Sequence, residues 1–337
     1  MVTVYYDQDA DLQVLANRTV AVIGYGNQGR AQALNMRDSG VDVVIGGRPG
    51  PSLEQAQADG LPIMSISEAV GAADVVSLLL PDEVHRAVYE QDIEPVLKAG
   101  QTLNFAHGYN ICYGRIRPKA GVDVVMIAPR MIGVGVRDSF VAGAGAPAFV
   151  AVEQDASGHA WQTLLALAKA IGATRSGAFQ VTFAEETELD LFSEQVVWPV
   201  VSRILSLSYE VLVESGYQAE PVLLELYASG EPAIVMQGMA DVGLFRQMAR
   251  VSRTSQYGTL TRGPVMIPDS YKALIAERLE EIRNGSFARE WGTDQDAGRP
   301  TYNALRKKAL SHPINDSEDR LHSLIAQPGA NKSTAED

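Results

Sequence analysis

The sequence predicts two domains: an α/β domain built on a doubly wound sheet over residues 1–182, and an all-α domain over 183–326, with a disordered tail at 327–337. Three observations predict this. Short β-rich runs alternate with helical segments as far as about Thr182, a glycine triplet follows the first strong strand, and from Phe183 the strand signal gives way to long apolar helices. The chain of 337 residues exceeds one typical domain. Its 46% hydrophobic and 20% charged residues describe a soluble globular protein with an ample core.

The first strand, Thr19 to Ile23, runs into Gly24-Tyr25-Gly26-Asn27-Gln28-Gly29 and leaves as an amphipathic helix. Three glycines at this spacing suit a dinucleotide pyrophosphate. Gly24 permits the turn, Gly26 lets the backbone approach the phosphates, and Gly29 lets the helix close on the strand with its amides facing the anion. An ordinary βα turn can also carry glycines, but strand, spacing and helix together define a Rossmann-type βαβ unit. Its second strand, Val43 to Ile45, is followed by Arg48 and Ser52, where an NAD site would place a carboxylate on the ribose. A cation and a hydroxyl suit a 2'-phosphate, which selects NADPH over NADH; the plainer reading of Arg48 is a solvated loop charge.

Further strands are predicted at Val75 to Leu80, Thr102 to Phe105, Val124 to Ile127 and Ala148 to Val152, in a parallel sheet covered on both faces. The turns Pro81-Asp82-Glu83, Ala106-His107-Gly108 and Ala128-Pro129-Arg130 follow the middle strands. In an open α/β sheet ligands bind beyond the carboxyl ends of the strands, so His107 and Arg130 become active-site candidates. Asp82 and, farther on, Gly133 complete the expected cofactor contacts.

Beyond Phe183, Leu189 to Val213 is apolar nearly all round, which predicts a helix buried in a core or between subunits, kinked at Pro199. At its head Glu186, Asp190 and Glu194 recur every four residues, which aligns them on one face. Glu186 alone reads equally well as a solvated first-turn acid. Asp190 and Glu194 have apolar neighbours, and a buried carboxylate needs a cation, a proton or several donors. Oxygen ligands without histidine or thiolate partners favour Mg²⁺ or Mn²⁺ over zinc. A net charge of −13 argues against nucleic acid. No apolar run is read as membrane-spanning and the first residues lack signal-peptide character, so a cytoplasmic protein is expected. The lone Cys112 reads as a small buried thiol.

The stretch Thr182 to Gln195, with its Asp190-Leu191-Phe192-Ser193-Glu194-Gln195 core, resembles the metal-binding signature of the ketol-acid reductoisomerases. Gly24 to Gly29 resembles that family's phosphate loop, and Asn104-Phe105-Ala106-His107-Gly108-Tyr109 its catalytic histidine turn. Gln256-Tyr257-Gly258 with Gly263-Pro264 resembles its C-terminal signature. The matches span most of residues 1–315 in the order of the short, bacterial-type form. The resemblance implies that NADPH and Mg²⁺ convert a 2-aceto-2-hydroxy acid to a 2,3-dihydroxy acid by alkyl migration and hydride transfer, as in branched-chain amino-acid synthesis. It further implies that Asp190 and Glu194 hold the metal, that Glu225 adds a ligand from a partner subunit, and that Ser252 holds the substrate carboxylate. An obligate dimer with interlocked helical domains follows, open to higher assembly.

Two departures stand out. Arg130 replaces the family's lysine, and Ser229 stands where a second glutamate usually follows Glu225. Arg130 can donate hydrogen bonds to an anionic substrate but hardly exchanges a proton at neutral pH, and Ser229 weakens a second metal site, so one or two ions are expected. Glu231 does not replace that glutamate, because Pro232 would break the helix there. Trp198 adds bulk near the pocket. The first reading is a working reductoisomerase. The alternatives are a diverged NADPH-dependent reductase of a 2-keto acid, other carbonyl or imine in secondary metabolism, and a silent NADPH-binding protein.

Overall fold

A computed structural model describes residues 2–325 of the chain; the tail assigned to 327–337 lies outside them. The chain forms two compact units, Met1–Asp190 and Leu191–Asp337. Among the described residues the first unit holds one nine-stranded sheet. Its strands are β1 (Val4–Tyr5), β2 (Thr19–Ile23), β3 (Asp42–Gly46), β4 (Ile63–Met64), β5 (Val75–Leu78), β6 (Thr102–Phe105), β7 (Asp123–Pro129), β8 (Ala148–Gln154) and β9 (Ala178–Gln180). They lie in the order β1-β9-β8-β7-β6-β5-β2-β3-β4.

The helices of this unit are α1 (Asn27–Asp38), α2 (Pro51–Ala58), α3 (Ile66–Ala72), α4 (Asp82–Val88), α5 (Tyr109–Cys112), α6 (Gly133–Val141), α7 (Ala160–Ala170), α8 (Ala173–Ser176) and α9 (Phe183–Phe192), whose last two residues pass into the second unit. Because side chains alternate along a strand, Val20 and Val22 enter one core with Val43, Ile45, Leu164 and Leu167. Ala21 and Ile23 enter another with Val76, Leu78, Phe105 and Met126. Both faces are therefore apolar and covered, as a doubly wound sheet requires.

The sheet is not wholly parallel, which corrects the expectation from alternation. β7 and β8 pair antiparallel, as do β1 and β9. The connection after β7 contains α6, which packs on α1 instead of crossing the sheet, so the chain returns in the opposite direction. The expected gathering of the site at the carboxyl ends of the strands survives, because β2, β3, β5, β6 and β7 run parallel in adjacent registers.

At the end of β2, Gly24 takes φ +95° and its N–H donates to the Gly46 carbonyl at 3.0 Å. A Cβ on Gly29 would overlap the Gly24 carbonyl oxygen, whereas one on Gly26 meets nothing within 4 Å. The two glycines thus separate by role. Gly29→Ala should lower stability by about 2–3 kcal/mol through overpacking. Gly26→Ala should leave urea melts unchanged and weaken NADPH binding at least ~10-fold in a fluorescence titration, because its backbone is the one that approaches the phosphates. Equal loss of stability in both variants would contradict this division.

The second unit comprises α10 (Trp198–Glu214), α11 (Ala219–Leu223), α12 (Glu231–Val242), α13 (Arg253–Met266), α14 (Tyr271–Arg283), α15 (Ser286–Asp296), α16 (Pro300–Leu310) and α17 (Pro313–Ile325). Its buried core is small, formed by Tyr209, Val222, Leu223 and Leu321, with the Tyr209 hydroxyl on Ser317 Oγ at 2.8 Å. Phe183–Glu214 is continuous helix of 32 residues, with mean hydropathy reaching 1.5. This corrects one expectation, since by length and composition alone the helix could cross a membrane. It is largely exposed within one chain, with Trp198 51% and Val211 60% accessible, so of its two expected settings the core of this chain is excluded and a subunit contact is left. Its apolar composition was visible; what covers it was not.

Among the described residues three π-helical turns occur, one of them, Tyr89–Ile93, after α4 in the first unit and two in the second. Of the latter two, Ser193–Val197 lies just before Pro199 and joins α9 to α10, so the proline is absorbed by a wider turn without ending the helix. The other, Leu224–Ala228, follows α11. Pro232 occupies the first turn of α12 after Gly230 at φ +82°, so it opens a helix where it was expected to break one. Cys112, the last residue of the one-turn helix α5, is exposed, not buried.

Candidate active site

Three adjacent parallel strands, β5, β6 and β7, deliver Asp82, His107 and Arg130 from their carboxyl ends, and α9 brings Glu186 and Asp190 to them within the same unit. The guanidinium of Arg130 is spent on two carboxylates: Nη2 donates to Glu186 Oε1 at 2.8 Å and Nη1 to Asp190 Oδ1 at 2.9 Å. Its Nε donates to the Ala128 carbonyl at 3.1 Å, and its Cζ lies over the Phe149 ring, 4.7 Å from the centroid. A planar fork with fixed donors explains why arginine fits here.

His107 links the second pair of acids. Its Nδ1 lies 2.8 Å from Asp82 Oδ2, while Nε2 lies 3.6 Å from Asp190 Oδ2 and 4.0 Å from Glu186 Oε2. Burial disfavours the imidazolium, but the Asp82 hydrogen bond and charge, with Glu186 and Asp190, outweigh it and push the histidine up to about 9. Burial likewise disfavours ionised Asp82; the hydrogen bond and charge of His107 prevail and hold it below the usual range.

Glu186 is fully buried, which removes its reading as a solvated first-turn acid. It accepts the Gly108 N–H at 2.8 Å as well as the Arg130 bond. Burial raises its pKa despite the opposing effects of His107, the Gly108 amide and Arg130. A Cβ on Gly108 would collide with Thr187 Oγ1 and the Phe183 carbonyl, so this close approach of turn and helix needs glycine.

Acceptor atoms of His107, Glu186 and Asp190 lie within 4.8 Å of one another, a spacing that could hold a metal ion. Buried His107 Nε2 has no hydrogen-bond partner, and Asp190 Oδ2 faces it while Oδ1 serves Arg130. Concentrated carboxylate oxygens with one imidazole fit a hard divalent cation. Glu194 and Glu225 are both exposed in this chain and both lie on the π-turns, a local geometry frequent at functional sites. The π-turn also ends the four-residue spacing from which Glu194 was aligned with Asp190. Ser252 caps α13, its Oγ accepting the Ser255 N–H at 3.2 Å. Ser229 Oγ accepts the Glu231 N–H at 3.4 Å.

In the phosphate loop Gly26 and Asn27 are exposed, while Gly24, Tyr25 and Gly29 are buried. Tyr25 gives its hydroxyl to Asp59 Oδ2 at 2.8 Å, and Arg30 Nε joins the same oxygen at 2.7 Å. That Arg30 bond holds the Asp59 carboxyl down to about 2. Gln28 reaches the Met131 carbonyl at 2.8 Å, and buried Gly133 packs against Asn27 so closely that any Cβ would overlap its carbonyl. The loops after β2 and β7 are thereby fastened together. Arg48 is exposed, with Asp92 at 3.6 Å, and Ser52 is exposed near the start of α2. Sequence reasoning missed Asn110, whose amide binds Asp82, and Phe149, which supports Arg130. Neither carries a motif; only their placement beside a charged group reveals them.

A phosphate-type glycine loop on a doubly wound sheet, with a histidine and clustered carboxylates at the adjacent strand ends, defines a nicotinamide-dependent oxidoreductase of Rossmann type. Residues 14–177 match the family described as acetohydroxy acid isomeroreductase, NADPH-binding domain, and residues 183–327 match ketol-acid reductoisomerase, C-terminal domain. The chain belongs to the ketol-acid reductoisomerase family. It is 45% identical over 328 residues to "Ketol-acid reductoisomerase (NADP(+))" of Renibacterium salmoninarum, covering 97% of this chain and 96% of that one. A solved NADH-preferring ketol-acid reductoisomerase from an uncultured archean superposes with TM-score 0.92 at 38% identity, covering 96% of this chain and all of that one. A semialdehyde dehydrogenase NAD-binding protein from Cupriavidus necator, at 18% identity and TM-score 0.60 over 79% of this chain, shares the fold alone.

Proposed function

We propose that this chain is an NADPH-dependent, Mg²⁺-assisted reductoisomerase that converts a 2-aceto-2-hydroxy acid to a 2,3-dihydroxy acid. The observation that carries the reading is the cluster of His107, Arg130, Glu186 and Asp190 at the strand ends, in a chain of this family. When bound, NADPH supplies the hydride and Mg²⁺ the Lewis acid for the ketone and the developing alkoxide.

The chain's own residues set the geometry. Gly24, Gly26, Asn27, Gln28 and Gly29 would receive the pyrophosphate, with Tyr25 pinned behind them by Asp59 and Gly133 bracing Asn27. Arg48 and Ser52 are both exposed, so a 2'-phosphate can draw the guanidinium away from Asp92, which supports NADPH. Asp190, Glu194 and Glu225 would hold the metal, and Ser252 the substrate carboxylate. His107 would move or hold a proton on the reacting oxygen. Arg130 fixes Glu186 and Asp190 and leaves Asp190 Oδ2 as the oxygen facing the site. With its fork so engaged, Arg130 serves the carboxylates more directly than a substrate anion.

The second unit supports a homodimer. Ile234, Phe245, Tyr257 and Val265 are each at least two-thirds accessible in the single chain, far more apolar exposure than isolated surface residues require. The apolar helix Phe183–Glu214, on the same ground, is a subunit contact in a cytoplasmic protein and not a membrane span. We place the domain boundary at 182/183, where the two family matches part.

The test follows NADPH consumption with 2-acetolactate and with the already rearranged 3-hydroxy-3-methyl-2-oxobutanoate across a Mg²⁺ titration. Both should turn over, and acetolactate should show the steeper Mg²⁺ requirement. Turnover of the rearranged compound alone would end the reductoisomerase reading.

A further inference from the structure

Asp82 follows Pro81, whose extended ψ of 139° ends the strand connection, and it is the first residue of α4. An acid at that position ordinarily serves the helix dipole or caps an amide. Here α4 has no side-chain cap, and the carboxylate is turned elsewhere. Oδ2 takes the Nδ1 of His107 at 2.8 Å, and Oδ1 accepts the Asn110 amide at 3.0 Å. The same Asn110 nitrogen lies 3.2 Å from the Asp82 carbonyl, and Asn110 is fully buried. His85, also buried, donates to the Leu80 carbonyl through Nε2 at 2.7 Å and brings Nδ1 to 4.0 Å from Asp82 Oδ1. Both oxygens of Asp82 are thus held by residues of the protein, and the chain of contacts runs from Asn110 through Asp82 to His107.

We propose that Asp82 is a positioning residue for His107: its carboxylate fixes the imidazole plane and keeps a proton on Nδ1, so that Nε2 is aimed at Asp190 and Glu186. The inference rests on the reading of His107 as a proton-handling group and extends it to a second residue. Two physical arguments carry it. An imidazole with no other hydrogen bond in this chain is freed to rotate once Nδ1 loses its acceptor, because Nε2 has only the looser charge contacts with Asp190 at 3.6 Å and Glu186 at 4.0 Å. An acceptor at Nδ1 also selects the tautomer, and an asparagine there can offer its NH₂ instead, favouring the wrong one. A direct role in holding NADPH would instead require Asp82 to abandon His107 or Asn110.

Asp82→Asn, Asp82→Ala and His107→Gln are compared singly, and Asp82→Ala also in the His107→Gln background. With 2-acetolactate as substrate, kcat should fall about 10- to 100-fold in both Asp82 variants. The NADPH dissociation constant, read by fluorescence, should move less than about 2-fold, since His107 and Asn110 already engage both Asp82 oxygens, against the expectation that Asp82 contacts the cofactor. In the His107→Gln background Asp82→Ala should cost nothing further, the non-additivity of residues acting as one unit. In ¹⁵N-histidine protein, the far-downfield Nδ1 proton assigned to His107 by its loss in His107→Gln should vanish in Asp82→Ala.

A rise in the NADPH dissociation constant with the Nδ1 proton intact would assign Asp82 to the cofactor and overturn the proposal. So would an equal loss of kcat in both backgrounds. If the unaltered enzyme fails on 2-acetolactate, the reductoisomerase reading falls, and the Nδ1 proton still decides whether Asp82 positions His107. The isosteric Asp82→Asn keeps the comparison available if the alanine variant does not fold.

Discussion

Asp190→Asn is expected to reduce kcat on 2-acetolactate by about 10³-fold at saturating Mg²⁺, with at most ~1 kcal/mol lost in urea melts. The residue is the junction of the site. One oxygen accepts from Arg130 at 2.9 Å and the other lies 3.6 Å from His107 Nε2. An amide keeps the shape but removes the charge, and its NH₂ must face either the guanidinium or the histidine, donor against donor. Either orientation disturbs one of the two cations that now share the carboxylate. The side chain is 31% exposed, so the fold has little stake in it. Calorimetric titration should show Mg²⁺ binding weakened at least ~10-fold. Unchanged turnover with an unchanged Mg²⁺ requirement would remove Asp190 from the metal site.

How much of this site the sequence disclosed depends on the range of the interaction. Strand, turn and helix periodicity are local, so β2, β3, β5, β6 and β7, and with them His107 and Arg130, could be placed from the chain alone. The two-residue strands β1 and β4 are too short to show a period, and β1 in addition has a partner remote in sequence, Val4 pairing with Phe179. The π-turns leave no local signature, since Ser193 to Val197 reads as ordinary helix. Glu186 shows the same limit in its chemistry. As a first-turn glutamate it is indistinguishable from a solvated one until packing against Gly108 and Arg130 buries it. Cys112 erred in the opposite direction, because residue type predicts burial only on average.

Arg130→Met should cost about 3 kcal/mol of stability at neutral pH, because removing one partner leaves buried Glu186 with the Gly108 amide as its side-chain hydrogen bond and His107 at 4.0 Å as its nearest cation. Asp190 suffers less, being partly exposed. The loss should depend on pH with a definite sign. Burial already raises Glu186 above its ordinary value of 4.5, and Arg130 is among the groups that oppose the rise. A raised carboxyl contributes stability that is complete below its ordinary value and is lost as pH rises through the folded one. Without Arg130 that folded value moves higher still. Below pH ~4.5 the glutamate is neutral in both proteins, and the deficit shrinks to the lost hydrogen bonds, about 1 kcal/mol. From there toward pH 8 the deficit should widen. Arg130→Lys should fall between, since an ammonium keeps the charge but cannot reproduce the fork on Glu186 and Asp190, the Ala128 bond and the stacking on Phe149 together. Paired urea melts of the three proteins at pH 5, 6.5 and 8 measure this directly. A deficit constant across pH would show that removing Arg130 leaves the proton affinity of Glu186 unchanged and that the clamp serves orientation alone.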